Sequence, residues 1–258
     1  MKSDNEVLYR NYLPAQLEPV LTENGVSGTV LVQASNSMAE SRWLLALAEE
    51  NSFIAGVVGW VDLMNTVELE SQLQKLTANK KFKGVRHLVE SEPADDWLLR
   101  REVVDGLKRL SAHGLTFDLL VHQRHLKYAR IAADQCPELS LVIDHLAKPP
   151  IARQEFDEWA RELRPFATYS NVYCKLSGLV TEANWTTWKT DDLRPYVDYA
   201  LELFGPERLM FGSDYPVCLL AASYKQVLDS FQELLKELSA GEREQVFSSN
   251  AARFYRLN

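Results

Sequence analysis

The sequence predicts an α/β protein built as a (β/α)₈ barrel with its first strand missing. Two observations point there. Seven short β-branched runs recur at spacings of roughly 25 to 35 residues, and most lack polar alternation, as strands buried on both faces do. Helical patterns fill the gaps between the runs, and one further helix precedes the first of them.

Taken in order, Pro14–Gly25 reads as a helix with proline in its first turn and glycine as its stop, shortened or kinked at Pro19. The strand runs are Gly28–Gln33, Ile54–Leu63, Phe82–His87, Thr116–His122, Leu141–His145, Asn171–Gly178 and Leu209–Asp214. Helices are predicted over Ser41–Asn51 and Pro93–Gly114, the second with acids early, bases late and Gly114 as its stop. Further helices are predicted over 124–135, 154–167, 190–204, 221–239 and 242–256. Residues Glu6–Tyr12 are the only candidate for weak pairing before the first run, and they carry no strand pattern. A doubly wound sheet is the alternative, disfavoured because no GxGxxG follows a strand. We expect residues 1–258 to form one barrel domain.

With 46% apolar and 25% charged residues, the composition is that of a soluble globular protein. The net charge of −8 argues against a nucleic-acid binder, and Lys80, Lys81 and Lys83 read as a solvated loop. Cys136, Cys174 and Cys218 match no zinc spacing and read as free thiols in a reducing compartment. With no signal-like or membrane-spanning run in the sequence, a cytoplasmic protein is expected.

Barrel enzymes carry reactive groups at the C-terminal ends of their strands. Those ends supply Gln33, Trp60, Asp62, Arg86, His87, His122, Asp144, His145, Lys175, Ser177 and Asp214. Three of the five histidines fall at strand ends; His113 and His125 do not. Asp214 is either a turn cap or a general base that takes a proton from water attacking a carbonyl. His145 and His122 are candidates to donate hydrogen bonds to that carbonyl oxygen. Arg86 is either a fork for a carboxylate or hydroxyl-rich substrate, or half of a salt bridge. Asp144 is placed to orient a neighbouring group from behind, and Lys148 reads as a loop charge. Trp188 reads as packing, whereas Trp185 is either packing or an apolar wall over the mouth.

Six motifs then carry a resemblance: VLVQA at 30–34, GWVDL at 59–63, KGVRH at 83–87, IDHLAKPP at 143–150, KLSGL at 175–179 and FGSDYPV at 211–217. From about Tyr12 onward the chain resembles the amidohydrolase-related (amidohydrolase 2) family of the metal-dependent hydrolase superfamily. It is most similar to the sugar lactonase branch typified by L-fuconolactonase and L-rhamnonolactonase. The resemblance implies a distorted barrel that hydrolyses the ring ester of an aldonolactone. It implies Asp214 as the group activating water, His145 as its carbonyl-side partner, and Arg86, His87 and His122 as pocket residues; Trp185 adds an aromatic wall. Relatives open with a strand ending in His-x-His, and no histidine precedes His87 here. A shortened chain, a late gene start and natural loss all give that pattern. The ligand set for a divalent metal is then incomplete, and no cofactor is expected to be required. The alternatives are a metal-assisted amidohydrolase or decarboxylase, and an inactive barrel that at most binds a ligand. The expected partner is a small-molecule substrate, with no nucleic acid and no membrane, and exposed strand edges allow a homo-oligomer.

Overall fold

The computed structural model describes residues 6–257. Seven strands form one parallel sheet in chain order: β1 (Thr29–Val32), β2 (Ile54–Gly59), β3 (Phe82–His87), β4 (Thr116–Leu119), β5 (Leu141–Ile143), β6 (Val172–Leu176) and β7 (Leu209–Phe211). Each pairs with its sequence neighbours, and no β7–β1 pair closes the ring among the described residues. The fold is a TIM-like barrel lacking one strand. Residues 6–10 lie in turns and bends and 11–12 in no regular element, so the weak pairing considered for Glu6–Tyr12 does not form.

The helices are α1 (Pro14–Glu23), α2 (Met38–Glu50), α3 (Leu69–Thr77), α4 (Arg101–Ala112), α5 (Leu126–Gln135), α6 (Asp157–Leu163), α7 (Leu179–Glu182), α8 (Thr190–Phe204), α9 (Tyr224–Leu234), α10 (Ala240–Glu244) and α11 (Asn250–Phe254). Helix α1 runs through Pro19 without breaking. The stretch predicted as one helix over 93–114 is a bend, a 3₁₀ turn at Trp97–Leu99, and then α4. The terminal helix divides into α10, a π turn at Gln245–Ser249, and α11. Helix α3 was not singled out from the sequence, although Leu69, Leu73 and Leu76 are all buried along its inner face.

Alternation along the strands separates two apolar layers. Val57, Leu141, Ile143 and Leu209 pack outward against the helices. Their neighbours Val58, Val142 and Met210 point into the barrel, where Phe254 and Tyr255 meet them. The end of the chain thus plugs the barrel floor. On the open side, Leu21 of α1 packs with Tyr224 and Leu228 of α9 and with Phe211 and Tyr215. Every residue of β1 is half-exposed, as expected of an edge strand.

The three cysteines are free and buried. The lysine-rich loop is less solvated than expected: Lys81 donates to the Ala48 carbonyl and Lys83 to that of Arg256. Lys83, His113, Thr116, Tyr255 and Arg256 line a cavity of about 290 Å³ beneath the floor, away from the strand C-termini. No helix among the described residues is long and apolar enough to cross a membrane.

Candidate active site

The strand ends deliver polar groups by alternation. On β3, Arg86 points into the barrel. His87, one residue on, points outward and stacks on Trp97 with ring centroids 3.9 Å apart. The His87 ring is fully engaged. Trp60 Nε1 can only donate, so His87 Nδ1 accepts from it at 3.0 Å. Nε2 then carries the proton and donates to Glu92 Oε1 at 2.7 Å. Burial lowers the His87 pKa even with Glu92 beside it, so the ring is neutral. The structure thus places His87, expected as a pocket residue, among Trp60, Trp97 and Glu92.

Below the mouth lies a buried ladder of charge. Arg86 Nη1 sits 2.8 Å from Asp144 Oδ2, and Lys175 Nζ sits 2.7 Å from Asp144 Oδ1. Lys175 also lies 2.6 Å from Asp118 Oδ2, which accepts a 2.8 Å hydrogen bond from the Tyr255 hydroxyl. Two cations face two carboxylates, and both carboxylates are fully buried. Burial alone would raise the Asp144 carboxyl, but Lys175 and then Arg86 outweigh it and hold it well below the usual range. Asp118 has one cation fewer, and burial raises it. Burial would discharge Lys175, yet Asp118 and Asp144 keep it protonated. Arg86 also donates to the Gln33 carbonyl, so its guanidinium is held largely as the salt-bridge reading expects.

His145 and Asp214 both rise from this platform on left-handed backbone. Asp214 has φ +55°, a conformation that aspartate tolerates better than most residues. Residues 145–148 all have φ between +51° and +59°, and none is glycine. The turn is pinned by Trp159 Nε1, which donates to the Leu146 carbonyl at 2.6 Å. The His145 ring rests against Gly178, where an added Cβ would lie 2.7 Å from Nδ1. That close approach, together with φ +65°, requires glycine at 178. His145 Nδ1 shares a 2.7 Å hydrogen bond with Ser177 Oγ. Its Nε2 faces Asp214 Oδ1 at 3.7 Å, beyond a direct hydrogen bond. The two side chains are only 11% and 18% exposed and lie side by side beyond the ends of β5 and β7.

The other residues singled out from sequence lie around this pair. His122 is at the rim, its Nε2 3.8 Å from Glu90 Oε2, and burial lowers its pKa. Trp185 is 46% exposed on the same end, with its ring N–H donating to the Thr181 carbonyl. Trp188 packs against the core and donates to the Ala221 carbonyl. Sequence reasoning missed Glu90 and Glu182 and took Lys148 for a loop charge. Lys148 instead pairs with Glu90, and both side chains are about four-fifths buried.

A parallel barrel that gathers a carboxylate, an imidazole and an ion pair at its strand C-termini defines a barrel hydrolase. The chain belongs to the amidohydrolase family, whose pattern it matches over residues 1–257. It is 38% identical over 265 residues to an L-fucono-1,5-lactonase of Burkholderia ambifaria, an alignment spanning 98% of this chain and 88% of that protein. Its structure resembles an amidohydrolase from Burkholderia multivorans solved with HEPES bound, at TM-score 0.94 and 36% identity, covering 100% of this chain and 93% of the other. A second structure of a Burkholderia multivorans amidohydrolase, with zinc bound, matches at TM-score 0.92 and 37% identity, with the same coverage.

The residues described here do not fit such an ion. Among them no group of three or more His, Cys, Asp or Glu side chains is placed to hold a metal. At the His145–Asp214 contact one imidazole nitrogen and one carboxylate face each other, while Glu90, a further carboxylate at this end, is paired with Lys148 instead. Structural and catalytic zinc sites use at least three protein ligands.

Proposed function

We propose that this protein hydrolyses the ring ester of a sugar-derived aldonolactone, with Asp214 activating the water. The supporting observation is the 3.7 Å approach of Asp214 Oδ1 to His145 Nε2 at the strand C-termini. Similarity to the Burkholderia ambifaria lactonase supports the substrate class.

In this reading Asp214 takes a proton as water attacks the ring carbonyl. His145 donates from Nε2 to the carbonyl oxygen as negative charge develops there. The Ser177 hydroxyl donates to Nδ1 and thereby keeps the proton on Nε2. The tetrahedral intermediate collapses by breaking the bond to the ring oxygen, and Asp214 returns its proton to the departing alkoxide. The product is an open-chain hydroxy acid, which ionises and releases one proton.

Proton release from a panel of aldonolactones tests the reading. L-Fucono-1,5-lactone is expected to open well above its spontaneous rate. A panel on which no member exceeds the blank removes the assignment. Ser177→Ala should slow turnover about 10-fold, the range for groups that orient a reacting side chain. Its Tm should barely move, and an unchanged rate means that other contacts hold His145.

A further inference from the structure

Lys148 and Glu90 are costly to place where they are. Left-handed backbone is disfavoured for residues other than glycine, and four such residues stand in a row from His145 to Lys148. An ion pair about four-fifths buried returns little of that, because the cost of removing both charges from water offsets their attraction. Backbone strain that gains no stability is kept where a site needs it. What the turn achieves is to aim two side chains, three residues apart, at the same end of the barrel. His145 faces Asp214, and Lys148 faces Glu90. Glu90 in turn faces His122 at 3.8 Å. On α7, burial raises the Glu182 carboxyl, with Lys148 opposing that rise and Glu90 and Asp214 adding to it.

We propose that Lys148 and Glu90 form a hydroxyl-recognition subsite that grips the ring of a polyhydroxylated lactone beside the Asp214–His145 pair. The chemistry suits vicinal diols. Each hydroxyl both donates and accepts, so an ammonium beside a carboxylate satisfies two neighbouring hydroxyls. A hydroxyl-free ring would leave that ion pair to be desolvated for nothing, which is how a polar site rejects such an analogue. The subsite rests on the lactonase reading for its role in turnover, but not for its role in binding.

The test compares L-fucono-1,5-lactone with δ-valerolactone, which has no ring hydroxyls, in wild type, Lys148→Met and Glu90→Gln. The ratio of the two kcat/KM values should fall about 30-fold in each variant, chiefly through KM for the hydroxylated ring. Equal fractional losses on both lactones, or no loss on either, overturn the subsite. Where Lys148→Met fails to fold, Glu90→Gln carries the same comparison. Saturation-transfer NMR with 1,5-anhydro-L-fucitol, which keeps the ring hydroxyls and has no carbonyl, separates this proposal from the lactonase reading. Transfer in wild type that is lost in Lys148→Met supports the subsite even if neither lactone is opened. No transfer in wild type overturns it even if both lactones are.

Discussion

Asp214→Asn should lower kcat/KM on an opened lactone about 10³-fold, within the range for loss of a positioned general base. The fold should survive. Asparagine adopts left-handed backbone as readily as aspartate, so the φ of +55° at this position carries no new strain. The backbone contact is also retained, since the Asp214 carbonyl accepts from the Cys218 N–H. The amide differs only where the chemistry is proposed, because it cannot take a proton from water. Alanine would confound the test by adding left-handed strain. Thermal unfolding should therefore be unchanged within a degree or two while activity disappears. Retention of a tenth or more of wild-type activity would remove Asp214 from the mechanism.

The second large effect lies beneath the mouth. Lys175→Met should destabilise the protein by about 3–5 kcal/mol, because it leaves Asp118 and Asp144 facing each other without their shared cation. For a chain of this size that lowers Tm by roughly 10 °C. The pH dependence has a defined sign. In wild type the Asp144 pKa is held below its unfolded value, so its stabilisation is present at neutral pH and lost as pH falls through the folded value. Without Lys175 the desolvated carboxylates are raised instead, and the penalty is present above the unfolded value. The deficit relative to wild type should thus be smaller at about pH 5 than at about pH 8. Denaturant titrations at both values check this. A deficit that grows toward acid would mean that the ladder is not the source of the loss. Activity should fall too, because Asp144 immediately precedes His145 and fixes the entry to its turn.

The contrast between these positions shows what the sequence could disclose. Strands buried on both faces announce themselves as unbroken apolar runs, so all seven were readable and the absent eighth followed from a helix ahead of the first run. Asp214 and His145 were readable as polar residues where such runs stop. The direction of His87 was readable in principle. Adjacent strand residues face opposite ways, so Arg86 and His87 could not both enter the barrel. The charge ladder was only half visible: Asp144 and Lys175 lie at strand ends, but Tyr255 reaches Asp118 from the far end of the chain. Lys148 falls within the IDHLAKPP motif, but the direction of its side chain was not readable. A left-handed turn with no glycine leaves no compositional mark, and it turns an ordinary loop lysine into the mouth. Glu90 and Glu182 follow strands in a 3₁₀ turn and a four-residue helix, too short for any periodic signal.

The central claim is that water, activated opposite His145, attacks a lactone carbonyl. Single-turnover hydrolysis of L-fucono-1,5-lactone in ¹⁸O-water tests it most directly. One ¹⁸O should appear in the product carboxylate and none in the hydroxyl released from the ring. Label in that hydroxyl, or incorporation no faster than in buffer alone, would contradict it.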